Sequence, residues 1–140
     1  LKTIMSNVEQ TLSIIKPDAV ERDLDNEIKE IFKSKGFKIL KEKKIQIEKF
    51  EAERFYKVHE TKPFYNDLCS YLSSGPIVVM VLEKSNAVLA NRELMGATNP
   101  TEALEGTIRK KYGISIDKNS VHGSDSIENA KIEIDFFFKD

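Results

Sequence analysis
Six consecutive apolar residues, Ile77 to Leu82, constrain this chain more than any other stretch. The run follows a turn at Ser73-Ser74-Gly75-Pro76 and is rich in β-branched residues. Such a run reads as a central strand buried on both faces. Other elements must therefore assemble around it. Thr11 to Lys16 reads as a second short buried strand, stopped by Pro17, with Lys16 at its end. A cation there either serves a function or snorkels to solvent, about equally often. Phe37, Ile39, Ile45 and Ile47 alternate at period two around Lys41 to Lys44, as in a long strand with one wet face.

Leu24, Ile28, Ile31, Phe32 and Lys35 mark a helix face that Gly36 stops. Phe50 to Glu60 and Phe64 to Leu72 are helical in pattern, and Pro63 separates them. Tyr56 and Phe64, at that break, serve either as plain core or as the lining of a cleft. His59 reads as a surface or structural residue, because no second ligand lies at metal-binding spacing. Asn86 to Leu94 is a short helix carrying Arg92, Gly96 to Gly106 is a long polar loop with Thr98, and Thr107 to Tyr112 is a helical piece with Arg109. Singly, each arginine is a surface charge. A short strand falls at Ser120 to His122. Asp125 then caps a helix running from Ile127 to Phe138, with Glu128 at capping-box spacing.

The resulting order is β-α-β-β-α-β with insertions. The expected fold is α+β: a ferredoxin-like (split βαβ) sandwich with a four-stranded, mostly antiparallel sheet and helices on one face. An extra helical hairpin, the long loop and a C-terminal helix are added to it. The 140 residues make one domain, with 1–8 expected as a flexible or added N-terminal segment and Met5 as the expected natural start. The net charge of −1 advertises no nucleic acid. Cys69 is the only cysteine, which excludes a disulfide within the chain. No apolar run approaches the roughly 18 residues of a membrane span. No signal peptide is evident, so the expectation is a soluble cytoplasmic protein without a membrane partner.

The chemistry concentrates at Asn119-Ser120-Val121-His122-Gly123-Ser124-Asp125-Ser126. On the helix behind it, Ile127, Ala130, Ile134, Phe137 and Phe138 recur at helical spacing, and Glu133 sits on the same face. A carboxylate on a packed face costs free energy unless something pairs with it, and His122 is a candidate partner. Imidazole titrates near neutrality, and a carboxylate on one ring nitrogen leaves the other free to attack. A helix N-terminus also suits a phosphate. The alternative, a merely solvated His122, is the more frequent case when residues alone are weighed. No P-loop, G-x-G-x-x-G, H-R-D, D-F-G or G-x-S-x-G motif occurs, which sets P-loop kinases, protein kinases and α/β hydrolases aside.

The string Asn119-x-x-His122-Gly123-Ser124-Asp125-Ser126 resembles nucleoside diphosphate kinase. So do Lys16-Pro17-Asp18-Ala19-Val20, Ser74-Gly75-Pro76, Gly96-Ala97-Thr98-Asn99-Pro100 and Gly106-Thr107-Ile108-Arg109, in this order and spacing. The match runs from about Met5 to the C-terminus. The resemblance implies transfer of the γ-phosphate of a nucleoside triphosphate, mainly ATP, to nucleoside diphosphates through a phosphohistidine, maintaining nucleotide pools. By position, His122 is then the nucleophile, Glu133 orients it and Ser124 supports the pair. Lys16 and Tyr56 meet the transferred phosphoryl. Arg92, Thr98 and Arg109 clamp the other phosphates. Asn119 and Lys16 contact the sugar hydroxyls, while Phe64 lies over the base with Leu68 and Ile116 as apolar neighbours. Mg²⁺ arrives on the nucleotide phosphates rather than in a protein cage. The partners implied are ATP, other nucleoside di- and triphosphates, and further copies of the chain in a tetramer or hexamer.

Four positions depart from the family pattern. Asp25-Asn26 replace an apolar residue and glycine, Asn91 a His or Gly, and Glu105 a proline. If the site of that glycine needs a positive φ, asparagine is the next best tolerated type. An RNA-binding module on the same plan would need exposed aromatics on adjacent strands and an RNP-like string, and neither is evident. A catalytically retired relative is disfavoured by the complete set of site residues.

Overall fold
The computed structural model describes residues 8–116 and 118–138. The expected N-terminal segment, up to residue 7, lies outside them. Four strands form one antiparallel sheet in the order β2-β3-β1-β4: β1 (Val8–Ile15), β2 (Lys38–Ile45), β3 (Ile77–Ser85) and β4 (Val121–Gly123). β3 is the central strand that its unbroken apolar run requires. It pairs with β1 from Val8↔Ser85 to Ile15↔Val78 and with β2 from Lys38↔Glu83 to Ile45↔Ile77. β1 begins three residues before the Thr11 expected from the sequence, because Val8-Glu9-Gln10 extend the ladder against Glu83-Lys84-Ser85. β2 is an edge strand, largely exposed, with a bulge between Ile39 and Lys41.

Alternation along the strands builds two cores. Val78, Met80 and Leu82 point to one side with Ile15 and Val121; Ile77 and Val79 point to the other with Leu12 and Ile14. The first side is covered by α1 (Pro17–Glu21), α2 (Asp25–Ser34), α5 (Ala87–Met95) and α6 (Ile108–Tyr112). The second is covered by α3 (Lys49–Phe55), α4 (Tyr65–Leu72) and α7 (Ile127–Phe137). The split-βαβ helices thus keep to one face, as expected, while the added hairpin and C-terminal helix close the other. A strand apolar on both sides demands that second layer, since bare Ile77 and Val79 would face water.

Local chemistry explains the element ends. In α2, Ile28 and Phe32 are fully buried, one turn apart, and Lys29 reaches Glu42 of β2 at 2.9 Å. Gly36 stops this helix at φ +89°, a conformation open to glycine at no steric cost. Asp25 and Asn26 simply open α2, so no positive φ is needed where a glycine is usual; Asp23 adopts one instead, at φ +60°. The helix after Lys49 breaks at Tyr56 into a short 3₁₀ turn, Lys57–His59. The cap of α7 is Ser126, not Asp125. Ser126 Oγ accepts Asn129 N–H at 3.0 Å, while Asp125 binds the Asn129 side chain. α1 was not legible as a helix, because only five residues separate Lys16 from Arg22.

Phe32 touches Phe37 edge-on at 5.5 Å between ring centroids and has no exposed surface. Phe32→Ala should lower the unfolding free energy by about 3–5 kcal/mol in urea titrations. A loss under about 1 kcal/mol would contradict this placement of the core.

Candidate functional site
His122 lies at the middle of β4, opposite Ile14 of β1. Directly opposed residues share a face, so its imidazole joins Ile14 on the side of α3, α4 and α7. Glu133, near the middle of α7, meets it there: His122 Nε2 stands 3.1 Å from Glu133 Oε1. A carboxylate has only acceptors, so the ring nitrogen facing it carries the hydrogen and donates. Nδ1 then holds the free lone pair. Ser124 Oγ donates to the same Oε1 at 2.8 Å and accepts the Leu12 backbone N–H at 3.2 Å. One carboxylate oxygen thus ties α7 to both β4 and β1. Phe55, at the end of α3, packs edge-on against the imidazole, 5.3 Å between centroids. Phe55 falls within the stretch Phe50 to Glu60 that reads as helical, but nothing in the chain pattern pointed it at His122.

Gly123 permits this arrangement. A Cβ built there would lie 2.3 Å from Asn91 Nδ2 and 2.7 Å from Met95 Cε. Helix α5 therefore packs directly on the backbone of β4, and the same turn, between Asn91 and Met95, carries Arg92.

Tyr56 is buried, its ring 6.4 Å from that of His122. Burial, then the nearby Glu133 carboxylate, pushes its phenol well above the usual range. It therefore stays protonated and available as a hydrogen-bond donor. His59 stands between Tyr56 and Phe64, at 6.2 and 6.0 Å between centroids, so ring contacts run from His122 through Tyr56 and His59 to Phe64. His59 was read only as a surface or structural residue; its place between two candidate site rings is additional.

Arg109 is a buried cation held by carbonyls alone. Nη1 donates to Gly96 O at 2.9 Å and Nη2 to Val121 O at 2.8 Å, while Nε is buried without a hydrogen-bond partner. Burial, then repulsion from Arg92, lowers its pKa to about 10. Among the described residues, neither arginine has a carboxylate at ion-pair distance. A desolvated charge in that state is costly and favours an incoming anion. Both arginines and Thr98 line a surface depression of about 720 Å³ that reaches Gly123, next to His122. Asp125, Glu93 and Glu102 also line it.

Lys16 caps α1, and its Nζ donates to Asn119 Oδ1 at 3.0 Å. Asn119 Nδ2 donates to Thr98 O at 3.1 Å and Ile116 O at 2.9 Å. This one amide gathers four of the expected residues. Phe64 and Ile116 remain 46% and 55% exposed, and Leu68 half-buried on α4. Their side chains form no hydrogen-bonded part of the cluster. Ile116 joins it through its carbonyl, and Phe64 is linked to Tyr56 through His59.

Comparison with known proteins adds to this geometry. A family model described as nucleoside diphosphate kinase matches residues 9–140. The chain is 59% identical over 132 residues to a nucleoside diphosphate kinase of Campylobacter jejuni, and 60% identical over 131 residues to one of Campylobacter lari. Each alignment covers 94% of this chain and 96% of the relative. Among solved structures, it superposes on the Aquifex aeolicus nucleoside diphosphate kinase with a TM-score of 0.92 at 40% identity, covering 94% of this chain and 95% of that one. The Encephalitozoon cuniculi enzyme gives 0.91 at 38% identity, with 94% and 90% covered.

The unpaired guanidinium of Arg109 generates one expectation. Inorganic tripolyphosphate at a hundred times its dissociation constant should add about 2.7 kcal/mol to the unfolding free energy. Thermal denaturation with and without the anion measures it. The same concentration should shift Arg109→Gln far less; an equal shift in both proteins would contradict the assignment.

Proposed function
The chain belongs to the nucleoside diphosphate kinase family, and on that premise we infer that His122 carries the phosphoryl group between nucleotides. The protein transfers the γ-phosphate of a nucleoside triphosphate, mainly ATP, to nucleoside diphosphates by a ping-pong route through a phosphohistidine. The observation that carries His122 is its pairing with Glu133. With Nε2 donating to the carboxylate, Nδ1 has a lone pair aimed away from it.

In the first half-reaction, Nδ1 attacks the γ-phosphorus as the bond to the β-phosphate oxygen breaks. The nucleoside diphosphate leaves with that electron pair. The imidazolium that forms keeps its Nε2 hydrogen on Glu133, whose negative charge stabilises it. The second half-reaction reverses these bonds with a different diphosphate. The protein's work is therefore to position groups and balance charge. Lys16 and the protonated Tyr56 donate to the phosphoryl in flight. Arg92, Thr98 and Arg109 take the remaining phosphate oxygens, which provides the anion that Arg109 lacks. Asn119 and Lys16 receive the sugar hydroxyls. Phe64, with Leu68 and Ile116, covers the base by stacking and apolar contact, which read no base identity.

Enzymes of this family use a divalent metal. Glu93, Glu102 and Asp125 line the cleft beside its two arginines, but among the described residues no three His, Cys, Asp or Glu side chains gather to hold an ion. We read Mg²⁺ as arriving on the nucleotide, held by its phosphates and not by side chains of this chain, where it would neutralise charge. Among the described residues no helix is long and apolar enough to cross a membrane. The proposed setting is the cytoplasm, and the proposed assembly a homotetramer or homohexamer. Exposed apolar residues outside the cleft, such as Ile114 and Ile132, support association.

His122→Ala should abolish turnover and take no label from γ-labelled ATP. Glu133→Gln should keep the label but slow exchange by roughly tenfold to a hundredfold, the worth of a charge-assisted hydrogen bond. Normal exchange by His122→Ala would sink the assignment.

A further inference from the structure
Ser120 sits between Asn119 and β4 in a conformation that serine rarely adopts. Its φ is +75°, and Val121 N–H donates across it to Asn119 O at 2.9 Å. An i to i+2 bond with a positive central φ is the rare, strained form of γ-turn. A residue other than glycine stays there only when its surroundings hold it. Ser120 is fully buried, and what holds it is Asp18.

Ser120 Oγ donates to Asp18 Oδ2 at 3.0 Å. The same oxygen takes Arg22 Nη2 at 3.2 Å, and Asp18 Oδ1 accepts the Tyr71 hydroxyl. The Asp18 N–H donates back to Tyr71 Oη at 2.7 Å. Arg22 is itself anchored on Tyr112 O at 2.6 Å. Asp18 is therefore a buried carboxylate with donors from α1, α4 and the turn, fixed on every side. The turn that it holds reaches Lys16 twice. Ser120 O accepts the Lys16 N–H at 2.8 Å, and neighbouring Asn119 accepts Lys16 Nζ at 3.0 Å.

We propose that Asp18 is a positioning residue for phosphoryl transfer: by holding Ser120 in the strained turn, it sets Asn119 and Lys16 at the spacing that receives the nucleotide's sugar hydroxyls. Asp18 acts through Ser120 and touches no substrate. The proposal rests on the reading of Asn119 and Lys16 as the sugar contacts.

The test compares kcat/KM for a ribonucleoside diphosphate and its 2′,3′-dideoxy analogue, using Asp18→Asn, Ser120→Ala and Ser120→Gly. With the ribonucleotide, each variant should lose about tenfold to a hundredfold, the worth of a hydrogen bond to a charged group. With the dideoxy analogue, which lacks the hydroxyls to be received, the loss should stay within about threefold. Ser120→Ala keeps Asp18 paired with Arg22 and Tyr71, so it tests the same link if Asp18→Asn folds poorly. Glycine adopts a positive φ without strain. Wild-type behaviour of Ser120→Gly on both substrates would show that the turn needs no hold from Asp18 and would overturn the proposal. So would equal losses on both substrates, the mark of a merely structural role. Asn119→Ala separates the two readings. If it discriminates between the substrates and the other variants do not, positioning by Asp18 fails. If it does not discriminate, the sugar-contact reading fails.

Discussion

One oxygen atom, Glu133 Oε1, joins three elements of this fold at the proposed reacting centre. It accepts Ser124 Oγ–H and His122 Nε2–H, and Ser124 in turn accepts the Leu12 N–H of β1. A carboxylate on the packed face of α7 would be costly if unmatched; two donors offset that cost and orient the acid. The same bonds settle the imidazole's tautomer and rotation, and Phe55 packs its ring from one side. Register in β4, the position of α7 and the direction of the reactive nitrogen thus depend on one another. Moving any of them would leave a buried polar group without its partner.

Charge is divided across the site accordingly. The negative side, Glu133, stands behind the imidazole. The positive side, Arg92 and Arg109, stands along the cleft that runs up to Gly123. Arg109 is pinned by carbonyls from two segments but lacks a counter-charge, so the protein alone holds a state that an anion improves. A site built this way gives up stability in the free protein and, on the proposed reading, would recover it on binding an anion. Tyr56, with its phenol kept protonated by burial, adds a donor that needs no counter-charge.

Much of this was legible in the sequence, for physical reasons that can be named. The run Ile77 to Leu82 required a central strand, and Gly36 ended α2 where a positive φ was needed. Glu133 stood out because a carboxylate on an apolar helix face needs a partner, and the partner was His122. The second helical layer was not drawn from the same apolar run, although bare Ile77 and Val79 demand it. The α7 cap shifted by one residue because Ser126 competes with Asp125 for the same role. Asn26 drew attention as a stand-in for glycine, yet its backbone is helical. Links across the chain, such as Lys16 to Asn119 and Asp18 to Ser120, leave no local pattern, since over a hundred residues separate the partners. The motif resemblance placed Lys16 and Asn119 in one site; it included Asp18 in the Lys16 to Val20 string but gave it no role, since Asp18 touches only other parts of the fold.

The central claim is that pairing with Glu133 leaves His122 Nδ1 as the atom that takes the phosphoryl group. The most direct measurement labels the protein with ¹⁵N-histidine, phosphorylates it with Mg·ATP without acceptor, and reads the phosphorus–nitrogen coupling by NMR. Phosphate on Nδ1 of His122, with Nε2 still protonated, is the result this geometry predicts. Phosphate on Nε2, or on any residue other than His122, would contradict it.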